Sequence, residues 1–217
     1  MPILLYGLTL PGDPRPDGAA GVGGVACRVL ACGEADAIVA TLDAKPAPDL
    51  AAIRAHDGAL RAFVAAGASV AAVRFGQWFD DEAGCIAELR SRAPRIAALL
   101  REHRGCVEMR VLLPVEAPRD APAPDATAGP GRAYLEALRA QGGVAPALAL
   151  RPMLGPMVRG ERVEGFAAPE GARGVAFAHL VHRDDLAAYR QSLRESPALA
   201  GARVVGPLPL YSFAEPA

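Results

Sequence analysis

The stretch VAAVRFGQWF, Val70 to Phe79, alternates small and larger apolar residues and is rich in β-branched and aromatic types, which predicts a buried strand. Helical periodicity flanks it on both sides. Upstream, Leu50, Ile53, Leu60, Phe63 and Val64 recur at helical spacing behind Asp49, a good N-cap, and Gly67 stops the run. Downstream, Asp80, Asp81 and Glu82 place negative charge where a helix N-terminus favours it, and Arg101 to Arg104 place positive charge at the far end. Between them Ile86, Leu89, Ile96, Leu99 and Leu100 continue an apolar face. Gly105 ends this helix, and Cys106 to Val115 returns as a strand in which Val107, Met109, Val111 and Leu113 alternate with Glu108 and Arg110.

Before the anchor strand, Ile3 to Leu10 reads as a strand with Tyr6 as its aromatic member, and Pro11 to Gly24 as a mobile loop. Val25–Leu30 and Ala37–Leu42 flank a turn and form a hairpin. Strand, hairpin, helix, strand, helix, strand describes a modified ferredoxin-like domain over residues 1–115, with one sheet and both helices on one face. A Pro-rich linker covers 116–130. Residues 131–217 then form a smaller α/β domain: a helix from Gly131 to Gln141, short strands at Ala147–Arg151 and Arg162–Phe166, and a strand at Val175–His182. A helix opening at Arg183 or Asp184, carrying Leu186, Tyr189 and Leu193, precedes a strand at Arg203–Gly206. Pro207 and Pro209 restrict the end of the chain to an edge strand or a docked tail, and Leu208, Leu210, Tyr211 and Phe213 are too apolar to hang free. The fold class is α+β with two domains.

Of the 217 residues 52% are hydrophobic and 22% charged, so the chain can bury a real core, and a net charge of −1 with 5% aromatics gives no case for nucleic acid or an anionic membrane. The N-terminus lacks the pattern of a signal peptide and no segment has the length of a membrane span, which places the protein in the cytoplasm with Cys27, Cys32, Cys85 and Cys106 reduced.

Residue patterns for chemistry are sparse. Gly21-Val22-Gly23-Gly24 lacks the spacing of a nucleotide loop and leads into a strand instead of a helix. The cysteines form no CxxC pair, and His179 and His182, three apart in a strand, face opposite sides. His56-Asp57 is mid-helix, where neighbours point about 100° apart, so the two form no dyad by themselves. Arg74 is a charge inside an apolar strand and calls for a carboxylate or carbonyl partner, which assigns it to the fold.

Several segments, in order, resemble the gas vesicle protein F/L family. They are Leu5-Tyr6-Gly7; Gly23-Gly24 followed by Ala37-Ile38-Val39-Ala40; His56-Asp57; and Val73-Arg74-Phe75-Gly76 with Phe79, which is similar to the family's Pro-x-Arg-Phe-Gly-x-x-Phe signature with Ala72 in place of the Pro. Gly105 with Val107-Glu108, then Gly131-Arg132-Ala133-Tyr134-Leu135, then Leu180-Val181 before Asp184, and finally Gly206-Pro207 to Tyr211-Ser212-Phe213 continue the series. Leu208 and Leu210 stand where the family has Trp and Pro. The resemblance implies a ferredoxin-like N-terminal domain, a smaller α/β C-terminal domain, and a non-enzymatic accessory protein of gas vesicle assembly without a cofactor or metal. Its partners would be the hydrophobic shell-forming protein, bound before or during polymerisation, and other gas vesicle accessory proteins; its location would be the cytoplasm, associated with the vesicle. The motif residues Arg74, Phe75, Gly76, Phe79, His56, Asp57, Gly131, Tyr134, Leu135, Pro207, Tyr211 and Phe213 are then structural. The rival class is a small-ligand sensor or enzyme on a ferredoxin-like scaffold.

Overall fold

A computed structural model describes residues 1–115, 151–167, 173–199 and 201–214. The described chain builds two four-stranded sheets, which is the mixed α+β class. It divides into two compact units: Met1–Glu108 with Pro207–Ala217, and Met109–Gly206.

In the first unit, strands β1 (Ile3–Thr9), β2 (Arg28–Ala31), β3 (Asp36–Thr41) and β4 (Ala71–Phe79) are ordered β2-β3-β1-β4. β1 lies between antiparallel neighbours β3 and β4. Every residue of β1 is buried, so both faces of the sheet centre are covered, not one. Its unbroken apolar run, ILLYGL, is the mark of a strand buried on both sides. β4 is the terminal strand: Val70, Ala71 and Val73 are buried as expected, but Arg74, Gly76 and Gln77 are exposed, so the expected burial holds for the first half of the stretch and not beyond.

Helix α1 (Leu50–Ala66) begins at Asp49, whose carboxylate accepts from Ala52 N at 2.8 Å, and ends at Gly67 with φ 109°. Its core face is Ala52, His56, Ala59, Leu60, Phe63 and Val64. Leu50 and Ile53, expected on that face, are 60% and 44% exposed, because the buried stripe runs through His56 and so passes them by. Helix α2 (Glu82–Glu102) starts at Asp81, which accepts from Gly84 N at 2.7 Å, and buries Cys85, Leu89, Ala93, Ala97 and Leu100.

The segment 11–24 is folded, not a mobile loop. Ala20 bridges Ala26, Gly21 N donates to Val25 O, and Ala19 and Val22 are buried.

The second sheet is ordered β6-β7-β5-β8, with β5 Cys106–Val115, β6 Val158–Ala167, β7 Arg173–His182 and β8 Arg203–Leu208. β5 therefore does not close the first sheet, as a ferredoxin-like order requires. The two units divide inside β5, after Glu108, and inside β8, after Gly206, so the expected boundary at residue 115 moves and the C-terminal tail groups with the first unit. The physical reason is pairing: β5's neighbours are β7 and β8. The expected linker at 116–130 and helix at 131–141 lie outside the described residues, whereas residue 151, expected in a strand, is helical. Helix α3 (Leu186–Glu195) packs Tyr189 and Leu193 onto Met109, Val111, Phe177 and Val181, which makes the core of the second unit.

Candidate functional site

The motif residues of the first unit gather around Tyr6. The pairing of β1 with β4 matches Leu5 to Gln77 and then Gly7 to Ala72, so four residues of β4, Val73 to Gly76, stand against Tyr6 alone. The Arg74-Phe75-Gly76 signature therefore lies in a bulge larger than the usual two-against-one kind. Gly76 has φ 99°, a conformation costly for any residue with a Cβ. Gly7 leaves space for the paired backbone, since a Cβ there would stand 2.7 Å from the Ala71 carbonyl oxygen.

The bulge and α1 bring three rings together. Tyr6 stacks on His56 at 4.7 Å and 12°, and Phe75 meets His56 edge-on at 5.6 Å and 85°. The Tyr6 hydroxyl accepts from Val22 N at 2.9 Å and donates to the Cys27 thiol, anchoring the 11–24 segment on α1's aromatic face. Burial raises the Tyr6 pKa and lifts the Cys27 thiol to about 11. Burial also lowers the His56 pKa, opposed in part by its hydrogen bond to the Leu5 backbone, so this histidine is neutral. Among the described residues its Nε2 has no hydrogen-bond partner, and 4% of the residue is exposed.

A second set of motif residues fastens the C-terminus. Leu210 bridges Ala71 in parallel, with Leu210 N donating to Val70 O at 2.8 Å. Tyr211 donates to Asp57 Oδ1 at 2.7 Å while Asp57 Oδ2 accepts from Arg61 at 2.6 Å. Burial, followed by the bond to Asp57, raises the Tyr211 pKa. Glu108 is fully buried and accepts from Ser212 N at 2.6 Å and Ser212 Oγ at 3.2 Å. Phe213 is buried and meets His103 edge-on at 6.5 Å. Pro207 lies in the terminal strand β8, where a missing donor is tolerated.

Three expected site residues, Gly131, Tyr134 and Leu135, lie outside the described residues. Phe79 is half-buried at the end of β4, paired with Ile3. Arg74 is exposed and makes no hydrogen bond or ion pair among the described residues, so it is not the buried, partnered cation that its apolar neighbours suggested. The bulge lifts it off the sheet.

The second unit holds a different arrangement, which sequence reasoning missed. His179 is 2% exposed on β7, with Nδ1 2.7 Å from Tyr189 Oη and Nε2 3.4 Å from Glu161 of β6. Because Nε2 faces a carboxylate, it carries the proton and Nδ1 accepts from Tyr189. Glu161 in turn accepts from Arg151 at 2.6 and 3.1 Å. Burial lowers the His179 pKa against the pull of Glu161. Arg151, Arg159, Glu161 and His179 line a cleft of about 300 Å³ with Leu154 and Val158. The missed signal was β6 itself: Glu161 and His179 are register partners, visible only once β6 and β7 pair. His182 does separate work, accepting from Asp184 N at the start of the helix.

Among the described residues, no group of three His, Cys, Asp or Glu side chains gathers as a metal site, and no helix is long and apolar enough to cross a membrane. The Tyr6 cluster has the chemistry of a rigid joint: its histidine is neutral and enclosed, its one hydroxyl is bonded and its thiol is held protonated.

Comparison with known proteins gives consistent results. The family described as gas vesicle synthesis protein GvpL/GvpF matches residues 2–215. The chain is similar in fold to the crystal structure of gas vesicle protein GvpF from Microcystis aeruginosa, with a TM-score of 0.72 and 15% identity over 99% of each chain. It is likewise similar to that of GvpF from Anabaena sp. PCC7120, with a TM-score of 0.74 and 14% identity, covering 100% of this chain and 97% of that one. No curated protein sequence matches the chain.

Proposed function

We propose, for a chain that belongs to the gas vesicle synthesis protein GvpL/GvpF family, a non-enzymatic role in gas vesicle assembly, in which it binds the hydrophobic shell-forming protein before or during polymerisation. The observation that carries this reading is the use made of the family's motifs. His56, Asp57, Arg74-Phe75-Gly76 and Tyr211 build a bulge, a ring stack and a tail clamp, and the carboxylate among them, Asp57, is engaged by Tyr211 and Arg61. A shell-forming subunit whose apolar surface is completed only in the polymer aggregates when released alone, so a carrier must cover that surface reversibly. The protein would act in the cytoplasm at the growing vesicle, alongside other accessory proteins. Co-expression with the major shell protein tests the role: the shell protein should move into the soluble fraction and co-purify. A shell protein that stays insoluble and unbound would sink the proposal.

The cleft at Arg151, Glu161 and His179 favours a second reading, a small-ligand sensor. A thermal-shift screen with nucleotides, amino acids and metal ions separates the two, because a ligand bound only by the folded state raises the melting temperature. A shift of several degrees from one compound class, lost in Glu161→Gln, would support the sensor.

A further inference from the structure

We infer that the free edge of β4 from Arg74 to Phe79 is the docking surface for an extended apolar segment of the shell-forming partner, carrying a carboxylate opposite Arg74. This inference rests on the assembly role proposed above. β4 is the terminal strand of its sheet, and its outer edge already accepts one strand, since the chain's own Leu210 pairs in parallel with Ala71. That pairing ends where the bulge begins, as Tyr211 turns aside to Asp57. Beyond it no strand covers the edge among the described residues.

The side chains along this open stretch are those that anchor interfaces. The chain has one Trp, Trp78, and it is left half-buried here with Phe79, beside the exposed Arg74 and Gln77. Trp and Arg dominate interface hot spots because they combine large contact area with directed donors. Arg74 has no acidic partner in its own chain among the described residues, so its guanidinium is free to take a carboxylate bidentately. Strand addition to such an edge supplies main-chain hydrogen bonds, while the flanking side chains select the segment. A bulge and a charge also discourage indiscriminate edge pairing, which suits an edge kept for one partner.

The test uses the full chain co-expressed with the major shell protein, in four forms: wild type, Arg74→Glu, Arg74→Lys, and Val163→Glu on the exposed face of β6. Arg74→Glu should keep the wild-type melting temperature and lose about tenfold or more of the co-purified shell protein, the scale of one hot-spot residue. Arg74→Lys should retain most of it, and Val163→Glu all of it. Undiminished capture by Arg74→Glu, or equal loss in Val163→Glu, would overturn the inference while leaving the assembly role intact. A wild-type dimer that Arg74→Glu dissociates would give the edge to a second copy of this chain and overturn it too. If wild type captures no shell protein, the assembly role itself fails.

Discussion

Each unit of this protein buries a histidine against a tyrosine, and the two pairs do different work. In the first unit His56 stacks on Tyr6, meets Phe75 edge-on and bonds the Leu5 backbone. In the second, His179 joins Tyr189 to Glu161 and, through Glu161, to Arg151 at the rim of a cleft. The same two residue types make a sealed joint in one place and a polar chain leading to solvent in the other. What differs is the third neighbour: a phenyl ring excludes water, and a carboxylate invites charge. Burial lowers both histidine pKa values, and a carboxylate pulls each back in part: Asp57 through its charge for His56, Glu161 through its charge and a direct contact for His179.

The largest test of the first unit is removal of Pro207–Ala217. Leu208, Leu210 and Phe213 are 4%, 1% and 8% exposed. Burial of each such side chain contributes roughly 1.5–3 kcal/mol, so their loss approaches the whole stability of a small domain. The truncated protein should be insoluble or melt about 10 °C lower or more, and a wild-type melting curve would show that the tail is not structural.

Within the ring cluster, Tyr6→Ala should cost about 3–5 kcal/mol, the range for emptying an aromatic site in a core. Tyr6→Phe keeps the stack and strands the Val22 amide, at about 1–3 kcal/mol. Urea denaturation of both variants separates ring from hydroxyl; equal losses would mean that the stack contributes little.

Gly76→Val should cost about 1–3 kcal/mol, since it forces a β-branched residue into a left-handed conformation. If melting temperature is unchanged, the bulge is not held by that backbone angle.

The smallest expected effect is on pH. His56 and His179 have folded pKa values below the 6.5 of the free side chain, so the folded state binds fewer protons than the unfolded chain. Stability is then full above 6.5 and falls as pH drops below it towards the folded values. Asp36 works in the opposite sense: burial raises its pKa against the pull of Arg15, so acid relieves its cost at lower pH. Melting temperature should decline as pH drops below about 6.5, and His56→Phe should flatten part of that slope if the ring stack survives. A slope unchanged by His56→Phe would place the whole effect in the second unit.

The segments with local signals were legible in the sequence. Asp49 and Asp81 as N-caps, Gly67 as a C-cap, and the hairpin of β2 and β3 all follow from short-range geometry that a few residues determine. The family resemblance likewise survived because its motifs are short and ordered. Leu50, Ile53 and Arg74 misled, because apolar or charged character says nothing of which way a helix is rotated or whether a strand is bulged.

Tertiary structure alone decided the rest. Whether β5 joins the first sheet or the second depends on pairing between strands far apart in the chain, and a strand of alternating Val, Met and Leu suits either. The Arg74-Phe75-Gly76 bulge exists only in register with β1, so a stretch read as buried throughout is buried at Val70, Ala71 and Val73 and opens at Arg74. Likewise Glu108 and Ser212, 104 residues apart, become a buried hydrogen-bonded pair only in the folded first unit. Caps and turns are set by neighbours in sequence; register, edges and buried polar pairs are set by neighbours in space, which no single stretch of chain contains.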